Sequence, residues 1–282
     1  MNPRFIPTFH LLNASTVVAI AAGFRLQIAF LLAGLAIRIP ECCAFALIMY
    51  ATYTLDRALG CEEDTINRIE LCGASKKTGL LACLLAFLAG TAILVMNGIY
   101  FAPFLPFLIG FVYSHGIRVG SFSLKLKGGL GMKNIVVGLT WGGTIALIAA
   151  RWCDSLMTIL VILLFFGSKT FVTSCVNDFK DVRGDIAAGI RTLPASLGEN
   201  LTKIVLILVL LIVHAVMVYA LLTQVIRNDW IIILYSLIPF TLFLFIYSSA
   251  LERSRLFLVR KLRDVIIYYE SAITVAVRVV FV

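Results

Sequence analysis

Charge is scarce in this 282-residue chain: only 14% of its residues are Asp, Glu, Lys or Arg, against 61% hydrophobic. That balance, with a mean hydropathy of +1.02, excludes an ordinary soluble domain. The three histidines, His10, His115 and His214, are scattered. The seven cysteines contain no Cys-x-x-Cys pair and lie mostly in or beside apolar segments. Neither set offers a zinc site or a disulfide framework. A formal charge of +9 suggests nucleic acid, but there is no basic patch or tail. The basic residues sit in short connections, where membrane orientation accounts for them.

Present instead are apolar runs of about 20 residues separated by short polar segments, the pattern of membrane-crossing helices rather than of an outer-membrane barrel. Nine spans are expected, at about 10–37, 40–57, 79–99, 101–117, 133–151, 155–177, 202–223, 229–250 and 264–282. The first contains Arg25 and a possible break there. It reads as an uncleaved span, because His10 and Asn13 interrupt the core a signal peptide would need. Pro40, Pro103 and Pro194 stand near junctions. The longer connections follow even-numbered spans and hold most of the Lys and Arg, so the positive-inside rule puts them and the N-terminus in the cytoplasm. The fold expected is an all-α integral membrane protein, a single domain over 1–282.

One polar stretch interrupts this pattern: Asn177 to Asp185, followed by Gly189-Ile190-Arg191-Thr192-Leu193-Pro194. On a helix, Asn177, Asp181 and Asp185 fall within an arc of roughly 80°. Carboxylates at that spacing repel each other unless a cation joins them. Oxygen donors alone select a hard ion, Mg²⁺ first. A solvated helix end between two spans is the other reading. The segment Asp56 to Asp64, 121 residues upstream and also after an even-numbered span, forms a weak repeat of it. Two such acidic helix ends, in halves of about 1–130 and 131–282, can face one cavity.

These residues resemble the UbiA superfamily of intramembrane prenyltransferases, whose two aspartate-rich motifs follow NDxxDxxxD. Asn177, Asp178, Asp181 and Asp185 fit the second motif, and GDIAAGIRTLPASLG is similar to its GDxxxGxxTLP extension. The first departs from the pattern: Asp56 stands where Asn is usual, Gly60 where the middle Asp is, and Asp64 at the end. Glu62 or Glu63 is available to fill in, Glu63 being seven residues after Asp56 and on its helical face. Asn67-Arg68 resembles the NxPxR turn without its proline. Aligning Asp56 with the middle Asp instead leaves Gly60 last and loses that turn.

The resemblance implies nine helices around a central cavity, two Mg²⁺ ions and an isoprenyl diphosphate donor. The metal ligands would be Asp56, Glu63, Asp64, Asn177, Asp181 and Asp185. Asp56, Asp64, Asp181 and Asp185 would be catalytic. Lys127, Lys133, Arg68, Arg191 and Tyr113 would bind the diphosphate, whose roughly three negative charges need Lys or Arg donors besides metal. Asp178 is a further candidate. Lys169 sits inside the sixth span and should face the bundle interior. The implied reaction transfers a prenyl group to an aromatic or lipid acceptor within the membrane, with the cell membrane as the expected location. An ion-coupled transporter and a family member of altered activity are the alternatives.

Overall fold

The computed structural model describes residues 5–60, 68–115, 117–119, 122–124, 129–248 and 257–281. Nine helices order them: α1 (Phe5–Leu32), α2 (Ile39–Leu59), α3 (Lys76–Met96), α4 (Phe104–His115), α5 (Met132–Ala149), α6 (Leu156–Ala187), α7 (Leu193–Leu222), α8 (Trp230–Ile246) and α9. The last runs through Phe257–Asp264, a π-helical turn Val265–Tyr269, and Glu270–Phe281. A 3₁₀ turn, Ile69–Leu71, precedes α3. Between α4 and α5 lies a feature the apolar pattern did not announce, an antiparallel hairpin of β1 (Ile117–Val119) and β2 (Phe122–Leu124) pairing Ile117 with Leu124.

Each helix answers to one expected span, with instructive differences at the ends. α1 passes unbroken through Arg25. α4 has 12 residues, about 18 Å of rise, too short for a hydrocarbon core of about 30 Å. α6 has 32 residues, so the polar stretch continues the span as helix instead of opening a loop. Pro40 and Pro194 lie in the first turns of α2 and α7, where a missing N–H is tolerated. α2 stops at Leu59 because Gly60 takes φ 67° and its N–H bonds Asp56 O, a glycine helix stop. Glu63, expected on the same helical face as Asp56, lies beyond this stop and outside the described residues.

α1, α2, α5 and α6 share the larger core, with Leu26, Phe30, Phe45, Ile48, Trp141, Phe165 and Phe166 among its buried side chains. A second core joins α6 to α7, α8 and α9 around Phe179, Leu206, Phe240, Phe243 and Tyr247. α9 packs on both α8 and α1, closing the bundle. The outward faces are also apolar, as with Leu81, Leu85 and Leu88 of α3 and Ile212 of α7, and five helices are long and apolar enough to cross a membrane. The chain is an integral membrane protein.

The tightest crossing is α5 on α6. A Cβ on Gly142 would meet Leu163 O at 2.5 Å and Gly167 N at 2.7 Å, and one on Gly138 would meet Gly167 O at 2.6 Å. Backbone is the obstacle, so no rotamer relieves it, and small residues are what let membrane helices approach this closely. Gly142→Val is expected to destabilise the fold by about 1–3 kcal/mol or more. Thermal unfolding in detergent reads this, and an unchanged midpoint would show that the crossing yields.

Candidate active site

A cavity of about 400 Å³ opens between α1, α2, α4, α5, α6 and the π turn of α9. Each helix contributes one stripe. α1 offers His10, Asn13, Ala14, Val18, Ala21 and Arg25, which span about 22 Å of helix. Polar groups crowd one end. From α2 come Asp56 and Arg57, from the following turn Arg68 and Glu70, from α5 Lys133, and from α6 Asn177, Asp178, Lys180 and Asp181. Arg25, Trp141, Thr170 and Ile267 line the other end. Thr170 lies 11 residues before Asp181, about 16 Å down one helix.

The α6 motif divides over two faces. Asn177 and Asp181 line the cavity, and Asn177 Oδ1 is buried with no hydrogen-bond partner. Asp178 also touches the cavity but is already engaged. Its Oδ1 accepts from Lys133 Nζ at 2.8 Å and its Oδ2 from Asn134 Nδ2 at 2.6 Å. Asn134 also reaches Ser174 Oγ at 3.0 Å. Asp185 departs from the expected metal-facing row: it is fully buried, is absent from the cavity wall, and forms an ion pair with Lys133 at 3.5 Å. The reason is helical drift, since i and i+8 differ by about 80°.

On the α2 side, Asp56 Oδ2 pairs with Arg68 Nη1 at 3.4 Å. Arg57 donates to Ser15 Oγ of α1 at 2.7 Å and lies 5.6 Å from the Tyr53 ring centre. Glu62, Glu63, Asp64, Asn67 and Lys127 lie outside the described residues, as does the side chain of Tyr113. Arg191 is exposed and away from the cavity. Only its carbonyl is engaged, accepting from Gly131 N at 2.9 Å, because it sits in the α6–α7 turn just outside the α7 cap.

Sequence reasoning assigned no site role to Arg57 or Asn134, each adjacent to a residue it did assign, and left Arg25 as a curiosity of the first span. Arg25 is buried, donates to Thr170 Oγ1 at 2.9 Å and to Ile267 O at 3.4 Å, and lies 4.7 Å from the Trp141 ring centre. The π turn supplies that carbonyl, a common use of such irregularities. Lys169 is off the cavity, buried in an ion pair with Glu270 at 2.5 Å. Ser271 Oγ and Thr274 Oγ1 each donate to that carboxylate at 3.1 Å. For Arg25 and Lys169 the available signal was a charged residue inside an apolar run.

Among the described residues of the cavity wall, five cations (Arg25, Arg57, Arg68, Lys133, Lys180) meet four carboxylates (Asp56, Glu70, Asp178, Asp181). Such a wall suits a ligand that is itself anionic and brings a cation with it. The metal donors on offer, Asn177, Asp181 and Asp56, are all oxygens. They fit Mg²⁺, and the unpartnered Asn177 Oδ1 is an acceptor in need of one. No three Asp, Glu, His or Cys side chains form a metal cage among the described residues. Mg²⁺ does not require one, as it is commonly held by one or two carboxylates together with substrate phosphates.

Comparison with known proteins matches residues 11–257 to the UbiA prenyltransferase family. No curated protein matches the sequence. Among solved structures, a UbiA homologue from Aeropyrum pernix K1 superposes with a TM-score of 0.64 at 13% identity, covering 92% of this chain and 97% of that one. A UbiA homologue from Archaeoglobus fulgidus bound to DMAPP and Mg²⁺ has a TM-score of 0.58 at 15% identity, covering 97% and 99%. A digeranylgeranylglyceryl phosphate synthase structure has a TM-score of 0.54 at 13% identity, covering 95% and 96%.

Proposed function

Because the chain belongs to the UbiA prenyltransferase family, we propose that it transfers an isoprenyl group from a prenyl diphosphate to an aromatic or lipid acceptor inside the membrane, releasing diphosphate. The observation that carries this is the polar end of the cavity, where Asn177, Asp181 and Asp56 meet Lys133, Arg57 and Arg68 within an apolar bundle. The structure of a relative bound to DMAPP and Mg²⁺ supports the same donor and ion here. Residues 1–282 act as one catalytic unit, each half contributing an acidic helix end.

In this reading Asn177 and Asp181 from α6 and Asp56 from α2 hold Mg²⁺, two ions when the diphosphate is bound. Held there, Mg²⁺ would supply positive charge toward the departing diphosphate, the electrostatic contribution that usually dominates such catalysis. Lys133, Arg57 and Arg68 donate hydrogen bonds to the phosphate oxygens. The C1–O bond of the donor then breaks, leaving an allylic cation and diphosphate. A nucleophilic carbon or hydroxyl oxygen of the acceptor forms the new bond to C1 and loses its proton. Apolar walls from α1, α4 and α5 keep out water that would otherwise capture the cation. The basic connections orient the polar end, with the N-terminus, toward the cytoplasm in the cell membrane.

The test is a donor-by-acceptor panel with purified protein in liposomes and labelled prenyl diphosphates. Mg²⁺-dependent appearance of prenylated product, abolished by EDTA, is the expected result. Absence of both diphosphate binding and turnover across the panel would sink the assignment.

A further inference from the structure

Resting on that reading, we propose that the α6 motif is split between two tasks: Asn177 and Asp181 serve the metal, whereas Asp178 and Asp185 are positioning residues that clamp Lys133 as the fixed cation for the diphosphate. Around the helix axis the four side chains share an arc of about 100°, with Asp185 about 40° beyond Asp181, and what each one touches divides them.

Asp178 and Asp185 meet the first turn of α5. The glycine crossing at Gly138, Gly142 and Gly167 brings the helices close, and the contact continues toward the polar end through Asn134 with Ser174 and Lys133 with Asp178. Lys133 Nζ stands 2.8 Å from Asp178 Oδ1 and 3.5 Å from Asp185 Oδ1. Asp178 and Asp185 are 2% and 0% exposed, and Lys133 keeps 17% of its side chain accessible on the cavity wall.

Three consequences follow. Asp178 has both oxygens engaged, by Lys133 and Asn134, which takes two of the roughly four acceptor directions of a carboxylate and ties the group to the clamp. Asp185 lies off the cavity wall, its two oxygens are buried with no hydrogen-bond partner, and the charge they face is Lys133 at 3.5 Å. An ammonium has three donors, and Lys133 gives one to Asp178, so it keeps donors for a phosphate oxygen. A lysine on a four-carbon stem is otherwise mobile, and the clamp removes that freedom before the diphosphate arrives, which is how preorganisation lowers the cost of binding.

The experiment separates metal from anion. Mn²⁺ binding in the presence of inorganic pyrophosphate is followed by electron paramagnetic resonance, alongside KM and kcat for the prenyl diphosphate. Asp181→Asn is expected to lose Mn²⁺. Asp178→Asn and Asp185→Asn are expected to keep Mn²⁺ affinity within about threefold while KM for the diphosphate rises about tenfold or more. Lys133→Met, which leaves both carboxylates in place, should reproduce that split, and adding Asp185→Asn to it should change little, because the two act as one unit. Loss of Mn²⁺ from Asp185→Asn as complete as from Asp181→Asn, or losses that multiply in the double variant, would overturn the division. Should Asp185→Asn fail to fold, Lys133→Met decides alone: a drop in Mn²⁺ affinity with no rise in KM overturns the proposal. A wild-type protein that binds neither Mn²⁺ nor pyrophosphate removes the prenyltransferase reading itself, and the clamp's task with it.

Discussion

Asp181→Ala is expected to lower Mg²⁺-dependent prenyl transfer by on the order of 10³-fold while leaving the fold intact. Asp181 is the motif's carboxylate on the cavity wall that lies outside the Lys133 clamp. A metal ion at a departing phosphate contributes several kcal/mol of transition-state stabilisation, and each 1.36 kcal/mol is a factor of ten in rate. Asp181 is only partly buried and joins no ion pair among the described residues, so its truncation leaves no orphaned charge in the core. Product formation under saturating donor, with a melting curve on the same sample, checks both halves. A rate within a few-fold of wild type would place the metal elsewhere.

The largest stability effect is expected at Glu270, far from the chemistry. Its carboxylate accepts from Lys169, Ser271 and Thr274, and Lys169 and Glu270 are 4% and 3% exposed. Glu270→Ala would strand an ammonium inside the bundle, and breaking a buried pair by removing one partner costs about 3–5 kcal/mol. Loss of monodisperse protein, or a large drop in the unfolding midpoint in detergent, is the expected result. The double variant Lys169→Met/Glu270→Leu should recover much of it, because an apolar pair needs no desolvation. If the double variant is as unstable as the sum of its parts, the ion pair is not the cause.

The architecture was legible in the sequence to the extent that hydrophobic length controls it. Nine apolar runs gave nine helices, and prolines marked the starts of α2 and α7. The α6 motif stood out because charge in an apolar chain is conspicuous and because it continues a span, so helical spacing applied. At Gly60 the sequence shows a glycine in place of a ligand, and the structure adds that its positive φ ends the helix; a glycine following a run of helix formers could have been read as a stop. The Lys133 clamp and the Arg25 contacts were not readable, since they depend on which helices become neighbours. Arg25 finds Thr170 145 residues away and Ile267 242 away, and nothing local encodes such pairings. Arg191 shows the converse error, a cation chosen for proximity in sequence whose side chain lies outside the cavity.

The junction of α1 with α9 also bears on how the protein is made. During synthesis the first eight helices enter the bilayer before Ile267 and Glu270 exist. Until then Arg25 lacks its carbonyl and Lys169 its counter-ion, two cations at membrane depth where such groups are expensive. The nascent bundle is thus electrostatically unfinished: Lys169 has no carboxylate to pair with and Arg25 has one acceptor fewer. Arrival of α9 supplies the Glu270 carboxylate and the Ile267 carbonyl together, so the last helix completes the polar interior of the first and the sixth.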